Sequence, residues 1–502
     1  MAIAFRVDAT PESGIGHFMR CLTLANALKI NGAKTRFVCR HLPDAMRNLL
    51  ESMGHELALL GTTNDSTKLD ELAHAHFLGT SQILDATATA NALIDQPPNW
   101  LVVDHYGLDH RWESALRQTT QHILAIDDIA DRVHDCDLLL DQNFYTDSET
   151  RYGGKVPPEC RLLLGPRYAL LRNDFHQLRD KVVPRSGPLK RILVFFGGMD
   201  SGNFTGRAID ALANVEIKGL QIDVVIGAHH ANIAQIELAC KKNRYTLHVQ
   251  TDKISELIAA SDLAIGAGGA ATWERCCLGL PTFAICTAVN QTKQLADAAL
   301  EGLLYSPLLT GDIILSIQRH LVALSENSYL RRSISTKAML AVDGRGVSRV
   351  IGKLESYNLT LRLAQTSDAL QLFEWRNHPT VRAVSRHPEI ITWEHHQSWL
   401  ANVLLSADRV LLIGVIDGIE IGAIRFDIEH FVAEVSIYIS PHIKTIGLGH
   451  DFLHIAEQWL FTSRPEIHGI RAIVIANNDR SHRLFLGMDY RVEATTYSKG
   501  LF

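Results

Sequence analysis

The chain has 502 residues, of which 46% are hydrophobic and 21% are charged, and its formal net charge is -6. This length predicts about three domains, and the composition is that of a globular protein with a buried core in each domain. The small net charge and the absence of a Lys/Arg-rich stripe argue against a nucleic-acid binder.

The first third of the chain alternates short strand-like runs with amphipathic helical segments. The predicted strands are Ile3–Asp8, Lys34–Cys39, Trp100–Asp104, Ile123–Asp127 and Asp137–Asp141. After the first strand, one helical face carries Phe18, Cys21, Leu22, Ala25 and Leu28. Strands separated by helices indicate βαβ units in a parallel sheet, so residues 1–180 are predicted to form a Rossmann-like lobe.

The same pattern restarts after the polar, proline-containing stretch Arg179–Leu189. The predicted strands are Arg191–Phe196, Ile222–Ile226, Thr246–Gln250, Asp262–Ile265 and Thr282–Cys286, and a long helical run, Ile313–Val342, follows them. Residues 190–352 are therefore predicted to form a second Rossmann-like lobe. Two such lobes predict a cleft where ligands bind at the carboxyl ends of the strands.

A module of a different kind is predicted over residues 358–502, after the glycine-containing run Asp343–Gly346. Its predicted elements are a strand at Leu359–Ala364, a helix at Ser367–Asn377, strands at Val410–Ile416, Ile419–Asp427 and Ala433–Ile439, a helix at His450–Ser463 and a strand at Gly469–Ile475. Consecutive antiparallel strands before a helix indicate an α+β fold.

A glycine pair precedes the first helix of the first lobe. Gly14 and Gly16 let the backbone approach a ligand, and a helix N-terminus offers free N–H groups to an anion. His17 follows directly and is predicted to lie in the cleft. Position alone leaves a helix-capping histidine in a tight turn as an equal alternative.

Two further glycine-rich loops follow strands of the second lobe. Gly197 and Gly198 follow the first strand, and Gly268, Gly269 and Ala270 follow the fourth and lead into a helix. Their N–H groups are predicted to bind a diphosphate, and Glu274, one turn into the helix, could accept both hydroxyls of a ribose. The structural alternative is that these glycines only permit close packing of strand and helix.

Several runs taken in order resemble a known enzyme family over roughly residues 1–350. They are Arg6–Ala9, Gly14–Cys21, Asp104–Gly107, Gly197–Gly198, Gly268–Glu274, Asn290–Gln291 and Asp343–Gly346. The resemblance is to the UDP-2,4-diacetamido-2,4,6-trideoxy-β-L-altropyranose hydrolases of pseudaminic acid biosynthesis. That family is related to the murein-type glycosyltransferases, which implies a two-lobed GT-B architecture with UDP on the second lobe and sugar on the first.

The resemblance also implies roles for individual residues. His17 would be the base that activates water against the anomeric carbon, which suits an imidazole near neutral pH. Tyr106 and Asn290 would line the sugar and phosphate side, and Glu274 would hold the ribose. The remaining expected UDP-sugar contacts are Gly14, Gly16, Arg20, Gly197, Gly198, Gly268, Gly269, Ala270, Gln291 and Thr292. We expect no metal, and we interpret Asp127, Asp128 and Asp137 as strand-end and capping carboxylates.

The third module contains a second glycine-spaced loop, which follows a strand and opens a helix. Such spacing lets successive N–H groups surround a pyrophosphate. Lys444, Gly447 and Gly449 fit the acetyl-CoA loop of GNAT acetyltransferases, and this segment resembles that family. The expected acetyl-CoA contacts are Val435, Ile437, Lys444, Ile446, Gly447, Leu448, Gly449, His450, Asn478, Ser481 and Phe485.

The start of this module contains Leu361-Arg362, Glu374–Asn377 and His396–Leu400. With these residues it resembles the GNAT subfamily that acetylates the 4-amino group of a UDP-linked amino sugar. This implies direct acetyl transfer from acetyl-CoA, with Glu434 as candidate base and backbone amides near Val435–Ile437 polarising the thioester. Phe485 occupies the place where many GNAT enzymes have a proton-donating tyrosine. Tyr438, Tyr490, a water molecule or no acid at all must then serve.

The leading prediction is a bifunctional enzyme whose third domain acetylates a UDP-amino sugar and whose first two lobes release UDP from the product. One alternative is a GT-B glycosyltransferase with an accessory acetyltransferase, and another is a non-catalytic nucleotide-sugar sensor. The expected partners are small molecules only: a UDP-amino sugar, acetyl-CoA and water.

The remaining sequence features bear on the cellular compartment in which the protein is expected. All eight cysteines lie at or before Cys286 without a CxxC pair, which favours reduced thiols over a disulfide framework or a structural zinc site. The first residues show neither a basic nor a long apolar segment, so we expect no signal peptide. The most apolar windows, Asp262–Trp273 and Arg409–Phe426, are interrupted by charged residues or glycine. We expect a soluble, cytoplasmic protein.

Overall fold

The computed structural model describes residues 1–10, 14–61, 70–198, 200–443 and 448–494. The chain forms two compact units, Met1–Val350 and Ile351–Phe502. The first unit contains both predicted Rossmann-like lobes, and the second contains the α+β module. Over the described ranges, no helix combines the length and the apolar character needed to cross a membrane.

The first lobe is a seven-stranded parallel sheet. Its strands are β1 (Ala2–Val7), β2 (Lys34–Cys39), β3 (Glu56–Leu59), β4 (Trp100–Asp104), β5 (His122–Ile126), β6 (Leu138–Asp141) and β7 (Arg161–Leu164). Its helices are α1 (Gly16–Ile30), α2 (Asp44–Ser52), α3 (Gln82–Leu93), α4 (His110–Leu116), α5 (Ser148–Arg151) and α6 (Asn173–Arg179), with 3-10 turns at Ala75–Leu78 and Pro166–Tyr168. The order β3-β2-β1-β4-β5-β6-β7 reverses direction between β1 and β4. That reversal is where a doubly wound sheet opens a ligand-binding crevice.

Burial explains which strands the sequence predicts well. Every residue of β4 and β6 is buried, because helices cover both faces of a parallel sheet, and such strands read as continuous apolar runs. The edge strands β3 and β7 were not predicted. They are four residues long and only partly buried, and their short apolar runs, Leu57–Leu60 and Leu162–Leu164, do not by themselves distinguish a strand from a helical segment. On α1, all five residues of the predicted apolar face are buried.

The second lobe repeats this plan with five parallel strands. They are β8 (Arg191–Phe195), β9 (Gln221–Ile226), β10 (Thr246–Val249), β11 (Leu263–Ala267) and β12 (Thr282–Ile285). The helices are α7 (Phe204–Leu212), α8 (Ile233–Asn243), α9 (Ile254–Ala260), α10 (Ala271–Cys277), α11 (Thr292–Glu301), α12 (Ile313–Glu326), α13 (Ser328–Ala341) and α14 (Gly346–Glu355), with a 3-10 turn at Val289–Gln291. The order β10-β9-β8-β11-β12 reverses between β8 and β11. Two Rossmann-like lobes of the GT-B type are therefore present, as expected.

The predicted single helical run Ile313–Val342 is wrong in one respect. Asn327 divides it into α12 and α13, because its backbone leaves the helical region (φ −104°, ψ 77°) and its side chain accepts a hydrogen bond from the N–H of Leu330. An asparagine at this position stabilises the start of the second helix.

The second unit is built on a five-stranded sheet in the order β13-β14-β15-β16-β17. The strands are β13 (Thr360–Leu363), β14 (Arg409–Ile416), β15 (Ile419–Glu429), β16 (Val432–Ile439) and β17 (Gly469–Ala472). The helices are α15 (Ala369–Asn377), α16 (Pro379–Arg382), α17 (Trp393–Leu405), α18 (Leu448–Ser463) and α19 (Asp479–Leu486), with a 3-10 turn at Thr366–Asp368. The strands pair in antiparallel fashion except β16 and β17, which are parallel.

Two tight turns and an alternating core organise this sheet. Asp417-Gly418 and His430-Phe431 connect β14 to β15 and β15 to β16, and all four residues have positive φ, as a type I′ hairpin turn requires. Along β14, Leu412 packs into the core beneath α18, whereas Leu411 and Ile413 pack with α15 and α17 on the opposite face. The sheet is thus covered by helices on both faces.

Candidate active sites

The first candidate site lies at the reversal point of the first lobe, where a histidine meets a buried carboxylate. His17 is the second residue of α1, and Asp104 is the last residue of β4. Nδ1 of His17 lies 2.6 Å from Oδ1 of Asp104, whose side chain is fully buried, while the His17 side chain is 14% exposed. An ionised carboxylate only accepts hydrogen bonds, so Nδ1 carries the proton and Nε2 is the proton-accepting nitrogen.

Arg20, one turn along α1, fixes the same carboxylate. Its Nε donates to Oδ2 of Asp104 at 2.6 Å, its Nη2 donates to Oδ1 at 2.7 Å, and its Nη1 donates to Oδ2 of Asp128 at 2.9 Å. Burial of the Asp104 carboxyl raises its pKa, but the charges of Arg20 and His17 outweigh that effect and hold the pKa well below its usual range. Asp104 therefore stays ionised beneath His17.

Tyr106 completes this cluster. Its ring stands edge-on to the His17 ring, with 4.6 Å between the centroids, and its hydroxyl donates to Oδ1 of Asp128. Burial and the charge of Asp128 raise the Tyr106 pKa well above its usual value, so the hydroxyl remains protonated. The structure thus brings together the predicted residues His17, Arg20 and Tyr106.

The two acids that join these residues were not predicted as site residues. Asp128, interpreted with Asp127 and Asp137 as a strand-end or capping carboxylate, does stand just after β5, and its side chain also binds Arg20 and Tyr106. Asp127 does cap a turn by accepting from the N–H of Ala130 at 2.9 Å, and Asp137 accepts from the N–H of Ile123 at 2.7 Å. The described residues contain no cluster of three or more His, Cys, Asp or Glu arranged to hold a metal.

The glycines that precede His17 shape the turn into α1. Gly14 has a φ of +73° and donates its N–H to the carbonyl of Thr10, and Gly16 is the first residue of the helix. A positive φ explains why glycine stands at position 14, since other L-residues rarely adopt it. Residues 11–13 lie outside the described ranges.

In the second lobe, the two predicted glycine loops follow β8 and β11, which are adjacent strands on either side of the reversal point. Gly197 and Gly269 have φ values of +93° and +86°. If a Cβ atom were added at Gly197 or Gly198, no described atom would lie within 4 Å of it. A Cβ atom at Gly266 would lie 2.3 Å from the carbonyl oxygen of Phe195. Close packing therefore accounts for Gly266, while Gly197 and Gly198 face open space that a ligand could fill.

The remaining predicted residues of this lobe surround the second loop. Ala270 is the N-cap of α10, Thr292 begins α11, and the Gln291 amide lies beside Gly268, where an added Cβ would be 3.1 Å from Oε1. Burial raises the pKa of Glu274 to about 7. No cation of the described chain lies within ion-pair distance of this carboxyl. The Asn290 side chain lies outside the description, so its predicted role stays a prediction.

Hydrogen bonds connect the two lobes, and Asn143 makes two of them. The Oδ1 of Asn143, which follows β6, accepts hydrogen bonds from Nε1 of Trp273 at 2.9 Å and from Nε2 of Gln294 at 3.0 Å. Asp297 of the second lobe also accepts from the N–H of Thr146 at 3.1 Å. Polar contacts of this kind fix the carboxyl-end loops of the first lobe against α10 and α11.

The second unit has an opening between β16 and β17. Their parallel pairing ends at Val435 and Ala472, whereas β16 continues to Ile439. Successive N–H groups of a strand point to opposite sides, so one of those at Ser436 and Ile437 faces β15 and the other faces the side that β17 no longer pairs with. This is the stretch of β16 that the sequence predicts to polarise a thioester, and Val435 and Ile437 both belong to it.

The predicted acetyl-CoA loop is only partly described. Lys444, Ile446 and Gly447 lie outside the described residues. Leu448 is buried and begins α18, followed by Gly449 and the exposed His450. Asn478 is the N-cap of α19, with its Oδ1 accepting from the N–H of Ser481 at 3.1 Å.

The predicted acid–base residues of this unit have defined partners. Glu434 lies between two arginines, with 3.0 Å from its Oε1 to Nη1 of Arg386 and 3.3 Å from its Oε2 to Nε of Arg471. Phe485 is buried and packs edge-on against Tyr490, whose hydroxyl donates to Oε1 of Glu457 at 2.6 Å. The two arginines were not predicted as neighbours of Glu434, and the catalytic role of Glu434 stays a prediction.

Residues 358–490 match the family described as Acetyltransferase (GNAT) domain. The second unit is a GNAT acetyltransferase domain. This match confirms the expected enzyme class of the unit and acetyl-CoA as its co-substrate.

Three relatives extend the comparison to the first unit. Uncharacterized protein MJ1062 of Methanocaldococcus jannaschii is 21% identical over 515 aligned positions, which cover 98% of this chain and 97% of the relative. The UDP-2,4-diacetamido-2,4,6-trideoxy-beta-L-altropyranose hydrolase of Campylobacter jejuni is 24% identical over 60% of this chain and 97% of its own. The spore coat polysaccharide biosynthesis protein SpsG of Bacillus subtilis is 29% identical over 40% of this chain and 60% of its own.

These relatives confirm the resemblance predicted for both parts of the chain. The Campylobacter hydrolase aligns over nearly all of its own length with a segment of this chain, and the GNAT domain follows as a separate unit. The match to the Methanocaldococcus protein runs across both units. The chain thus joins a hydrolase-related, two-lobed region to an acetyltransferase domain.

Proposed function

We propose that the first unit hydrolyses a UDP-linked 2,4-diacetamido sugar and that the GNAT domain acetylates the 4-amino group of its UDP-linked precursor. The hydrogen bond between His17 and Asp104 carries the first half of this proposal. It places a proton-accepting nitrogen at the reversal point of the first sheet and fixes the tautomer of the ring. The relationship to the Campylobacter hydrolase supports the choice of reaction.

In the proposed hydrolysis, Nε2 of His17 removes a proton from water as the water oxygen forms a bond to the anomeric carbon. The bond from that carbon to the diphosphate oxygen breaks, and UDP departs with the electron pair. Asp104 stabilises the imidazolium that forms, because its carboxylate stays ionised. Arg20 and Tyr106 hold the two carboxylates of the cluster in place.

The second lobe would hold the leaving group. The glycine loops at Gly197–Gly198, which face open space, and at Gly268–Gly269, which lie beside Gln291, would offer backbone N–H groups to the diphosphate and offset its developing charge. Glu274 would accept the ribose hydroxyls, since no described cation occupies its carboxyl. The expected set of UDP contacts is completed by Ala270, Asn290, Gln291 and Thr292.

In the proposed acetyl transfer, the 4-amino nitrogen forms a bond to the thioester carbonyl carbon and the carbon–sulfur bond breaks. A base removes a proton from the amine, and CoA leaves as a thiol once its sulfur has received a proton. The unpaired side of β16 supplies the N–H groups that polarise the carbonyl. Glu434 is the proposed base, and Arg386 and Arg471 fix its orientation.

The proposal is tested by supplying the full chain with the UDP-linked 2,4-diacetamido sugar and no acceptor, and by measuring UDP and free sugar. We expect both products from the wild type and neither from His17→Ala. His110→Ala is the matched control, because His110 begins α4 and is half exposed, and it should hydrolyse as the wild type does. Turnover that requires an added acceptor would indicate a glycosyltransferase instead.

The second activity is tested on the same preparations. The UDP-linked 4-amino precursor and acetyl-CoA should give free CoA and acetylated sugar with wild type and with His17→Ala alike. Absence of both CoA release and UDP release in the wild type would favour a binding protein without catalysis. Parallel loss of the two activities in folded His17→Ala would contradict two separate sites.

A further inference from the structure

A buried arginine lies directly behind one of the glycine loops of the second lobe. Arg275, on α10, is 1% exposed. Its Nη2 donates to the carbonyl oxygen of Ala267 at 2.6 Å and to Oγ1 of Thr272 at 3.3 Å. Ala267 is the last residue of β11, so this contact is made where the strand passes into the loop at Gly268.

Arg275 has no acidic partner in the part of the chain that the structure describes, and its Nε makes no hydrogen bond there. Burial lowers the pKa of its guanidinium to about 10, which leaves the group charged at neutral pH. The carboxyl of Glu274, the preceding residue, acts on this charge only through space and forms no ion pair with it. A buried charge without a paired counter-ion is costly, and its retention behind the Gly268–Gly269 loop is consistent with a negative group that binds from outside the chain.

The geometry of the strand end shows how Arg275 acts on the loop. The carbonyl of Ala267 and the N–H of Gly268 belong to one trans peptide unit, so they point in opposite directions. Arg275 holds that carbonyl from the interior side, because it is fully buried. The chain then passes through the half-buried Gly268 and Gly269 to the exposed Ala270. The N–H of Gly268 therefore faces the open side of the loop.

We propose that Arg275 is a positioning residue for the diphosphate of the nucleotide: by binding the carbonyl of Ala267 it directs the N–H of Gly268 at the diphosphate, and its charge adds to the attraction. This inference rests on the proposed function and identifies what the loop recognises within the nucleotide. Arg275 itself contacts no ligand. Its effect on the nucleoside is limited to the influence of its charge on the neighbouring Glu274, which disappears at a pH where that carboxyl is ionised.

The experiment compares the affinities of UDP and uridine, measured by calorimetry on the full chain at about pH 8.5, where Glu274 is largely ionised and the loss of the Arg275 charge no longer alters uridine binding through it. Arg275→Met should weaken UDP binding about tenfold, the size of one hydrogen bond to a charged group, and leave uridine binding unchanged. Arg275→Lys should restore most of the loss, since an ammonium keeps the charge and a donor for the carbonyl. A general loss of structure would weaken the binding of UDP and the binding of uridine together.

Arg331 provides a matched control within the same lobe. It is also buried, and its described hydrogen bonds go to the carbonyl oxygens of Leu324, Ser325 and Gly187. Arg331→Met should leave the ratio of UDP to uridine affinity unchanged. Thr272→Val is the second variant in case Arg275→Met fails to fold, because it removes only the second hydrogen-bond acceptor of Arg275. It should weaken UDP binding by a smaller factor and leave uridine binding unchanged.

The outcomes separate this inference from the proposed function. The wild type could prefer UDP to uridine while Arg275→Met and Thr272→Val keep the same preference. That result would overturn the role of Arg275 and leave the proposed function standing. An equal loss of UDP affinity in Arg331→Met overturns that role as well. A wild type that binds neither ligand overturns the proposed function, and this inference falls with it.

Discussion

Asp104 holds His17 and Arg20 at once: Oδ1 lies 2.6 Å from Nδ1 of His17, and Oδ2 accepts from Nε of Arg20 at 2.6 Å. The two partners lie on consecutive turns of α1, while the carboxylate comes from the end of β4. One buried acid thus sets the tautomer of the proposed base and anchors the helix that carries it.

Replacing this acid should abolish most of the hydrolysis. In Asp104→Asn, the amide nitrogen can donate to Nδ1 of His17, which favours the tautomer whose Nε2 carries a proton and cannot accept one. We expect UDP release to slow about a thousandfold. Acetyl transfer by the same preparation serves as the internal control and should be unchanged. Hydrolysis at the wild-type rate would contradict the role assigned to Asp104.

Glu274 should make nucleoside binding depend on pH. Burial raises the pKa of its carboxyl to about 7, so the group is neutral below that pH and ionised above it. An ionised carboxylate accepts from both ribose hydroxyls, whereas the neutral acid has one oxygen occupied by its proton. The affinity for uridine should therefore rise about tenfold between about pH 6 and about pH 8.

Uridine is the probe for this measurement because it has no phosphate that would titrate in the same range. Glu274→Gln should bind uridine with an affinity that does not change with pH. A pH dependence that persists in this variant would assign the effect to another group.

The buried ion network beside β1 should control the stability of the first unit. Asp85 is fully buried and accepts from Nη2 of Arg6 at 2.8 Å, from Nη2 of Arg40 at 3.0 Å and from Nε1 of Trp112 at 3.0 Å. Asp85→Ala leaves two buried guanidinium groups without this partner. We expect the free energy of unfolding to fall by about 3–5 kcal/mol, measured by urea unfolding.

An exposed ion pair of the same lobe provides the comparison. The Asp95 side chain is 66% exposed and pairs with Arg36. Asp95→Ala should change the free energy of unfolding far less than Asp85→Ala does, because water screens the exposed pair. Equal losses in the two variants would contradict the importance of burial.

Two tyrosines of the GNAT domain should differ in their effect on acetyl transfer. Tyr438 lies on the part of β16 that β17 does not pair with, and burial raises its pKa well above the usual value, so its hydroxyl is protonated and able to donate. The hydroxyl of Tyr490 is already bound to Glu457. We expect Tyr438→Phe to slow acetyl transfer, by about tenfold or more, and Tyr490→Phe to leave the rate nearly unchanged.

The measurement is the rate of CoA release at saturating acetyl-CoA. The KM for acetyl-CoA should stay the same in both variants, since neither change alters the loop before α18. A rate that falls in Tyr490→Phe instead would move the proton donor to the Phe485 side of the domain.

The sequence predicts the fold well where burial is complete. Trp100–Asp104 is predicted with the bounds that the structure shows, because a strand inside a parallel sheet is apolar on both faces. The edge strands Glu56–Leu59 and Arg161–Leu164 are short and only partly buried, and their apolar runs were not recognised as strands. The break at Asn327 depends on one residue, and helical periodicity continues on either side of it.

In the candidate site as well, residues close together in the sequence could be predicted, whereas contacts between distant segments could not. His17 is predicted from its own neighbourhood, since glycine, strand and helix all lie within a few residues of it. Asp104 is 87 residues away along the chain, and only the pairing of β1 with β4 brings it close. Arg386 similarly reaches Glu434 across 48 residues. No spacing rule reveals such pairs in a single sequence.

Trp273 is the one tryptophan between residues 190 and 352, and its indole N–H is bound to Asn143 of the other lobe. Indole emission depends on the hydrogen bonding and polarity around the ring. A movement that separates the lobes would break this bond and admit water to a side chain that is fully buried. The chain has seven tryptophans, so the difference in emission between the wild type and Trp273→Phe isolates this residue, and that difference reports on the junction of the lobes without an attached dye.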